Sequence, residues 1–226
     1  TSRTKEKRAM GTISQAKLAG LSLILGPTIT VICYFYQQMV IYADVEANNA
    51  ASWAALTAAG GGAVVATSLI IPLSLMALVY GLLFIANEIR GSGNGGALAG
   101  YGAPMVLIGL TGWVLASGMS ISVANSLEPA ATGTAVSLAA SGINNIAGFF
   151  FSIGFATVFF AMASRDEYNS NLANAAGLLA VVAAVLTVVG VASIDQSALM
   201  TQLVGLTYII HTLYAIYIGR GILKRG

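Results

Sequence analysis

One histidine and two adjacent asparagines are the residues of this chain whose side chains could do chemistry inside long apolar runs. His211 is the single histidine, and Thr207 and Ala215 lie one helical turn to either side of it. An imidazole in an apolar helix can carry a proton, hold a ligand or hydrogen-bond to a neighbouring helix, and the hydrogen bond is the common case. We expect a neutral imidazole bonded to another helix, with a role in a solute pathway as the alternative.

Asn144 and Asn145 lie in a charge-free run, where each amide can both donate and accept hydrogen bonds. They could line a path for a neutral solute, bind the polar group of a cofactor, or bond across a helix interface, and we favour the interface. On a helix, small or weakly polar residues recur every fourth position beside a phenylalanine-rich face, which predicts a close-packing side. That stripe consists of Ala140, Asn144, Gly148, Ser152 and Ala156.

The sequence lacks the sets of residues that most catalytic and metal-binding sites need. His211 has no carboxylate partner for nucleophilic catalysis, and the apolar runs contain no Asp, Glu, Lys or Arg of the kind that ion-coupled transport usually needs. Cys33 is the single cysteine, so the chain has no internal disulfide and no Cys/His metal spacing. The sequence therefore predicts a protein that is not an enzyme, with no catalytic residue and no metal site, and it leaves any cofactor unknown.

Six apolar runs must position these residues. Hydrophobic residues make up 57% of the 226-residue chain and charged residues only 8%, against roughly 25% charged in an ordinary soluble domain. About 20 residues of helix cross the ~30 Å hydrocarbon layer, and helices satisfy their own backbone groups there. We therefore predict an all-α integral membrane protein, a single six-helix domain over residues 18–218. The predicted spans are Leu18–Tyr42, Gly61–Asn87, Ala97–Val123, Ala135–Ala163, Leu172–Ser193 and Met200–Ile218.

The charges predict how this bundle lies in the membrane. All ten Lys and Arg fall on one side of a six-span arrangement: in a basic arm at residues 1–17, at Arg90 and Arg165, and in a short basic tail at residues 219–226. The other side carries acidic residues without a positive charge: Asp44, Glu46, Glu128 and Asp195. This positive-inside pattern predicts that both termini are cytoplasmic, although it does not say which membrane holds the protein. Residues 47–57 form either a short interfacial helix or an ordinary loop.

Small residues and short connections guide the prediction of function. Helix packing is indicated at Gly96 and Gly100, at Ala140, Gly148 and Ala156, and at Ala176, Ala180 and Ala184. We predict a non-catalytic accessory or structural subunit that packs against membrane lipids, bound cofactors and other membrane proteins or further copies of itself. The alternative is a channel or facilitator for a small neutral solute, lined by Asn144, Asn145, Ser152, Thr207 and His211. The small net charge of +2 gives no reason to expect a nucleic-acid partner.

Overall fold

Six long helices form the fold in the computed structural model, which describes residues 13–46, 48–91, 93–126 and 130–225. Each helix is long and apolar enough to cross a membrane, and the described residues contain no strand. The predicted all-α, six-helix fold is therefore confirmed. Five predicted spans lie within their helices or extend one residue beyond them, and the first, Leu18–Tyr42, runs six residues past the end of its helix at Tyr36. The helices are α1 Gln15–Tyr36, α2 Ala50–Arg90, α3 Gly96–Ala124, α4 Ala130–Ala163, α5 Ser170–Ala192 and α6 Ser197–Arg225.

Side-chain caps fix where three of these helices begin. The Ser14 hydroxyl accepts the Lys17 amide at 3.2 Å at the start of α1. Asn49 caps α2, and Asn169 caps α5 by accepting the Leu172 amide at 3.1 Å. Each cap satisfies a backbone N–H that has no partner within its own helix. Polar caps therefore mark helix starts that hydropathy alone leaves imprecise.

The helices form a closed ring in chain order. Each helix packs against the next, α6 returns to α1, and α2 also contacts α4 across the bundle. The start of α1 lies against the end of α6, where a Cβ added at Gly20 would be 2.9 Å from the Gly219 carbonyl oxygen. In its most apolar stretch α4 is 61% buried, more than any other helix. The interior of the bundle is therefore organised around α4.

Two helix pairs approach closely because glycine removes the side chain at the crossing. A Cβ added at Gly26 of α1 would lie 2.6 Å from the Ser74 carbonyl oxygen of α2. A Cβ added at Gly154 of α4 would lie 2.7 Å from the Val106 backbone nitrogen of α3. Such distances leave no room for a methyl group, so these glycines let the helix backbones meet directly.

One end of the bundle has its own small packing cluster. α1 continues as a π-helical segment, Gln37–Ile41, and α2 is kinked at Gly61, whose φ of 42° favours glycine. The helical segment before the kink includes Trp53, whose ring lies 4.5 Å from that of Tyr42. Ile41, Tyr42 and Val64 form a core separate from the main one. Of the two readings for residues 47–57, the structure shows a helix from Ala50.

The described Lys and Arg residues all lie at one end of the bundle, together with Glu88, Asp166 and Glu167. Because six helices alternate in direction, the starts of α1 and α3 and the ends of α2 and α6 lie together. We call this the basic end, and it carries Lys17, Arg90, Arg165, Arg220, Lys224 and Arg225. The opposite, acidic end carries Asp44, Glu46 and Asp195. The four Lys and Arg of residues 1–12 and Glu128 lie outside the described residues, and the assignment of the basic end to the cytoplasm stays a prediction.

Candidate functional site

His211 lies at the middle of α6 and faces the interior, with only 3% of its surface exposed. Its Nε2 is 3.1 Å from the carbonyl oxygen of Ala176 on α5. Because a carbonyl oxygen can only accept, Nε2 must carry the proton in this contact and Nδ1 is left as an acceptor. Nδ1 is buried and has no hydrogen-bond partner among the described residues. The geometry is that of a neutral imidazole bonding two helices.

Aromatic rings enclose this imidazole on the α4 side. The ring of Phe155 lies 5.4 Å from the His211 ring in an edge-on contact, and that of Phe159 lies 5.7 Å away. These phenylalanines are themselves buried in the main core. A haem iron binds imidazole through a ring nitrogen, and here Nε2 is bonded to the Ala176 carbonyl while Nδ1 is buried. Among the described residues, no three His, Cys, Asp or Glu side chains are grouped as a metal site requires.

Two buried hydroxyl groups, those of Ser152 and Tyr208, lie beside His211 on the side toward the acidic end. Tyr208 of α6 reaches α4, where its Oη would be 3.6 Å from a Cβ at Gly148, and it interacts with the Ser152 hydroxyl one turn further along. Neither hydroxyl makes a hydrogen bond of ordinary geometry. Thr207 is also buried and bonds to the Val204 carbonyl of its own helix at 2.7 Å. We call Ser152, Thr207, Tyr208 and His211 the central polar cluster.

Trp113 of α3 covers the central polar cluster. Its ring lies 4.6 Å from that of Phe151 and 6.1 Å from that of Tyr208. Three helices, α3, α4 and α6, therefore supply side chains around the cluster, most of them aromatic, and α5 supplies the backbone carbonyl of Ala176. Such an arrangement can hold helices in register through a few polar contacts, or it can bind a small polar molecule at the unpaired atoms.

Asn144 and Asn145 lie apart from the central polar cluster and are exposed on α4. Asn144 is 11 residues before Phe155, about 16 Å along the helix axis. Because Phe155 packs on His211 at the middle of α6, the two amides lie close to the edge of a ~30 Å hydrocarbon layer. The predicted stripe is therefore not uniform: Ala140, Gly148, Ser152 and Ala156 are buried, whereas Asn144 is exposed, as is its neighbour Asn145.

A shallow groove runs between α3 and α4 and reaches the level of the two amides, which do not line it. It encloses about 400 Å³, and its wall is almost entirely apolar. Gly112 forms its floor, where a Cβ would touch the Ala147 side chain at 2.7 Å. We call it the α3/α4 groove, and it is lined by Leu107, Ile108, Thr111, Gly112, Leu115, Ile143, Ile146 and Ala147.

The small residues predicted to pack lie in several different contacts. Ala176, Ala180 and Ala184 are buried along α5, and Ala140, Gly148 and Ala156 are buried on α4. Gly96 and Gly100 are half-buried and lie against Arg90 at the end of α2. The structure thus joins Ser152, Thr207 and His211 at one place and leaves Asn144 and Asn145 elsewhere.

Two features of the site did not follow from sequence reasoning. Tyr208 carries a central hydroxyl, and its position three residues before His211 was the available signal, because residues three apart share a helix face. The α3/α4 groove depends on how two helices cross, and no single run of sequence records that. Comparison of the chain with protein-family models, curated proteins and solved structures gives no match.

Proposed function

We propose that this integral membrane protein is a non-catalytic subunit that docks against a partner membrane protein through the α3/α4 groove. The observation that carries the proposal is an apolar groove on the open side of α3 and α4, at the level where Asn144 and Asn145 are exposed on other faces of α4. Amides exposed near the hydrocarbon edge have few partners in lipid, whereas a neighbouring helix can supply them.

The partner that fits this surface is a transmembrane helix with small residues along one side. The groove offers shape and van der Waals contact, which drive helix association where lipid tails are as apolar as leucine. Two glycines near it, Gly118 on α3 and Gly142 on α4, have nothing within 4 Å of an added Cβ. This open space beside the groove lets a partner backbone approach closely.

A facilitator for a small neutral solute is the second candidate. The buried polar atoms of the central polar cluster favour it, because Nδ1 of His211 and the hydroxyl of Ser152 have no ordinary hydrogen bond. A solute with donors and acceptors would satisfy both. The aromatic side chains around the cluster favour the docking subunit, since Phe151, Phe155 and Phe159 occupy the space that a water-filled solute pathway needs.

The test is the size of the particle extracted from the native membrane with mild detergent. The wild-type chain should migrate in a complex far larger than its 23.1 kDa. Ile146→Trp fills the groove from an exposed position, so we expect it to release the chain from the complex. Leu213→Trp is the matched control, because Leu213 is 63% exposed and Ile146 is 61% exposed, but Leu213 lies on α6 away from the groove.

Flux measurements separate the two candidates. Purified wild-type chain in liposomes should show no passage of small neutral solutes such as glycerol or urea if the chain is a docking subunit. Solute passage that His211→Ala abolishes, in a chain that also migrates as a monomer from its native membrane, would replace the docking proposal with the facilitator.

A further inference from the structure

A cleft of about 260 Å³ lies at the basic end of the bundle, far from the α3/α4 groove. Three separate parts of the chain form it: the end of α2, the connection between α4 and α5, and the end of α6. Its volume has room for about eight water-sized groups, at ~30 Å³ each. The residues that line it are Glu88, Ile89, Arg165, Glu167, Tyr168 and Arg225.

The charges in this cleft come in both signs. Arg165 donates to Glu167 through two nitrogens, with Nη2 to Oε1 at 2.8 Å and Nε to Oε2 at 3.2 Å. The Arg165 hydrogen bond holds the pKa of the Glu167 carboxyl below its usual range, so this carboxylate stays ionised. Glu88 and Arg225 bring a second carboxylate and a second guanidinium from α2 and α6. The cleft is therefore close to neutral overall while offering both an anion-binding and a cation-binding group.

Tyr168 supplies a buried hydroxyl between these charges. The Arg225 guanidinium lies over its ring, with the Cζ atom 5.7 Å from the ring centre. The hydroxyl itself is buried and makes no hydrogen bond of ordinary geometry among the described residues. Arg225 also interacts with this hydroxyl, but a guanidinium can only donate, so the O–H proton has no acceptor and costs free energy unless a bound molecule or water accepts it. The hydroxyl and the guanidinium together fit one oxyanion.

We propose that this cleft binds a zwitterion that carries a phosphate and a primary ammonium, as in a phosphoethanolamine group. The phosphate oxygens accept from Arg225 and from the Tyr168 hydroxyl, because a guanidinium presents its donors in a fork that matches phosphate. The ammonium donates to Glu88 and to a free lone pair of Glu167, since a carboxylate has about four acceptor positions. The source is either a phospholipid headgroup or a free phosphoethanolamine molecule.

The proposal distinguishes this group from the other common headgroups. A choline group has no N–H, so it cannot donate to the two carboxylates. A glycerol phosphate brings a negative charge without a cation, and Glu88 and Glu167 repel it. The cleft therefore selects the primary amine, and its selectivity depends on both the acidic and the basic residues.

Native mass spectrometry of the full chain, with one lipid added at a time, tests the proposal. We expect phosphatidylethanolamine to bind at least about tenfold more tightly than phosphatidylcholine or phosphatidylglycerol, which corresponds to ~1.4 kcal/mol. Arg225→Gln and Glu88→Gln should each lower this binding, and Tyr168→Phe should lower it by removing the hydroxyl alone. Lys224→Gln is the matched control, because it removes a neighbouring cation that does not line the cleft.

The direction of the effects decides the outcome. If Glu88→Gln leaves phosphatidylethanolamine binding unchanged while Arg225→Gln lowers it, the cleft binds the phosphate without the ammonium and the proposal is overturned. Equal binding of phosphatidylethanolamine and phosphatidylcholine overturns it as well. Competition by free phosphoethanolamine supports the same chemistry and identifies a soluble source, while lack of competition together with phosphatidylethanolamine binding identifies the lipid. Unchanged helical circular dichroism shows that each variant is folded.

Discussion

The two halves of α4 have equal length but opposite surroundings. Of its twelve buried residues, eleven lie at Ala147 or beyond, in the basic-end half, residues 147–163. The acidic-end half, residues 130–146, contributes Ala140 alone. The buried half carries all six phenylalanines of the helix, and the exposed half carries alanine, serine, threonine and glycine. One half is the core of the bundle, and the other is surface available to lipid or a partner.

This difference shows what hydropathy reports in a membrane. Apolar residues are stable against lipid as well as against protein, so an apolar run does not reveal which side is covered. Volume is the better guide here. Large aromatic side chains fill the space between α2, α4, α5 and α6, whereas small side chains leave the other half of α4 open to close approach.

Phe155→Ala and Ile146→Ala should show the largest contrast between the halves. Phe155 is 3% exposed, so its truncation leaves a cavity and should lower the free energy of unfolding by about 3–5 kcal/mol. Ile146→Ala should change the free energy of unfolding by less than about 1 kcal/mol, because the side chain is already exposed. Unfolding in detergent, followed by circular dichroism, measures both. Equal losses would show that the two halves are packed alike.

The same substitution at two glycines of α4 gives the next largest contrast. Gly154→Ala places a methyl group 2.7 Å from the Val106 nitrogen, which should destabilise the fold by about 1–3 kcal/mol. Gly142→Ala meets nothing within 4 Å, so alanine's better helix propensity should stabilise by up to about 1 kcal/mol. The shift of the unfolding midpoint should therefore differ in sign. A loss of stability at Gly142 would mean that this surface is covered within the chain.

His211→Leu should have a smaller effect despite its central position. Interhelical hydrogen bonds in membranes contribute about 0.6 kcal/mol on average and at most ~1.7. Leucine also removes the unpaired Nδ1, which offsets part of the loss. We expect the unfolding midpoint to change little and the complex to keep its size. A loss above about 3 kcal/mol would show that His211 holds a larger network than the Ala176 bond.

The smallest effect concerns pH at the basic end, just beyond α4. Because Arg165 lowers the pKa of Glu167 from its ordinary 4.5, the pair stabilises the folded chain above that pH. This contribution is lost as the pH falls through the lowered folded pKa. The pair is partly exposed, with 15% of the Arg165 and 46% of the Glu167 side chain accessible, so the effect is small. Glu167→Gln should lie below wild type in stability at about pH 7, and the difference should shrink as the pH falls through the lowered pKa of Glu167.

Much of the fold could be predicted from the sequence, because length and apolar composition determine six helical spans. The positions of the polar residues along those spans also followed, with His211 in the middle and the asparagines toward one end. The sequence did not reveal whether a residue faces lipid or the interior of the bundle, since apolar side chains are stable in both surroundings. For this reason Asn144 and Ser152, two turns apart on one predicted stripe, have different surroundings.

The cleft at the basic end and the α3/α4 groove both depend on tertiary contacts that the sequence does not record. Glu88, Arg165 and Arg225 lie at the ends of three different elements, and only the ring closure of the bundle brings them together. The α3/α4 groove likewise arises from the crossing set by Gly109 and Gly112 against α4. Charge and glycine positions were visible in the sequence, but their partners were not.

The particle size of the Ile146→Trp variant in mild detergent tests the central claim most directly. The wild-type chain and Leu213→Trp should both extract from the native membrane in a complex far larger than 23.1 kDa, and Ile146→Trp should extract as a folded single chain. An Ile146→Trp chain that remains in a complex of wild-type size, or a wild-type chain that extracts as a monomer, would contradict docking through the α3/α4 groove.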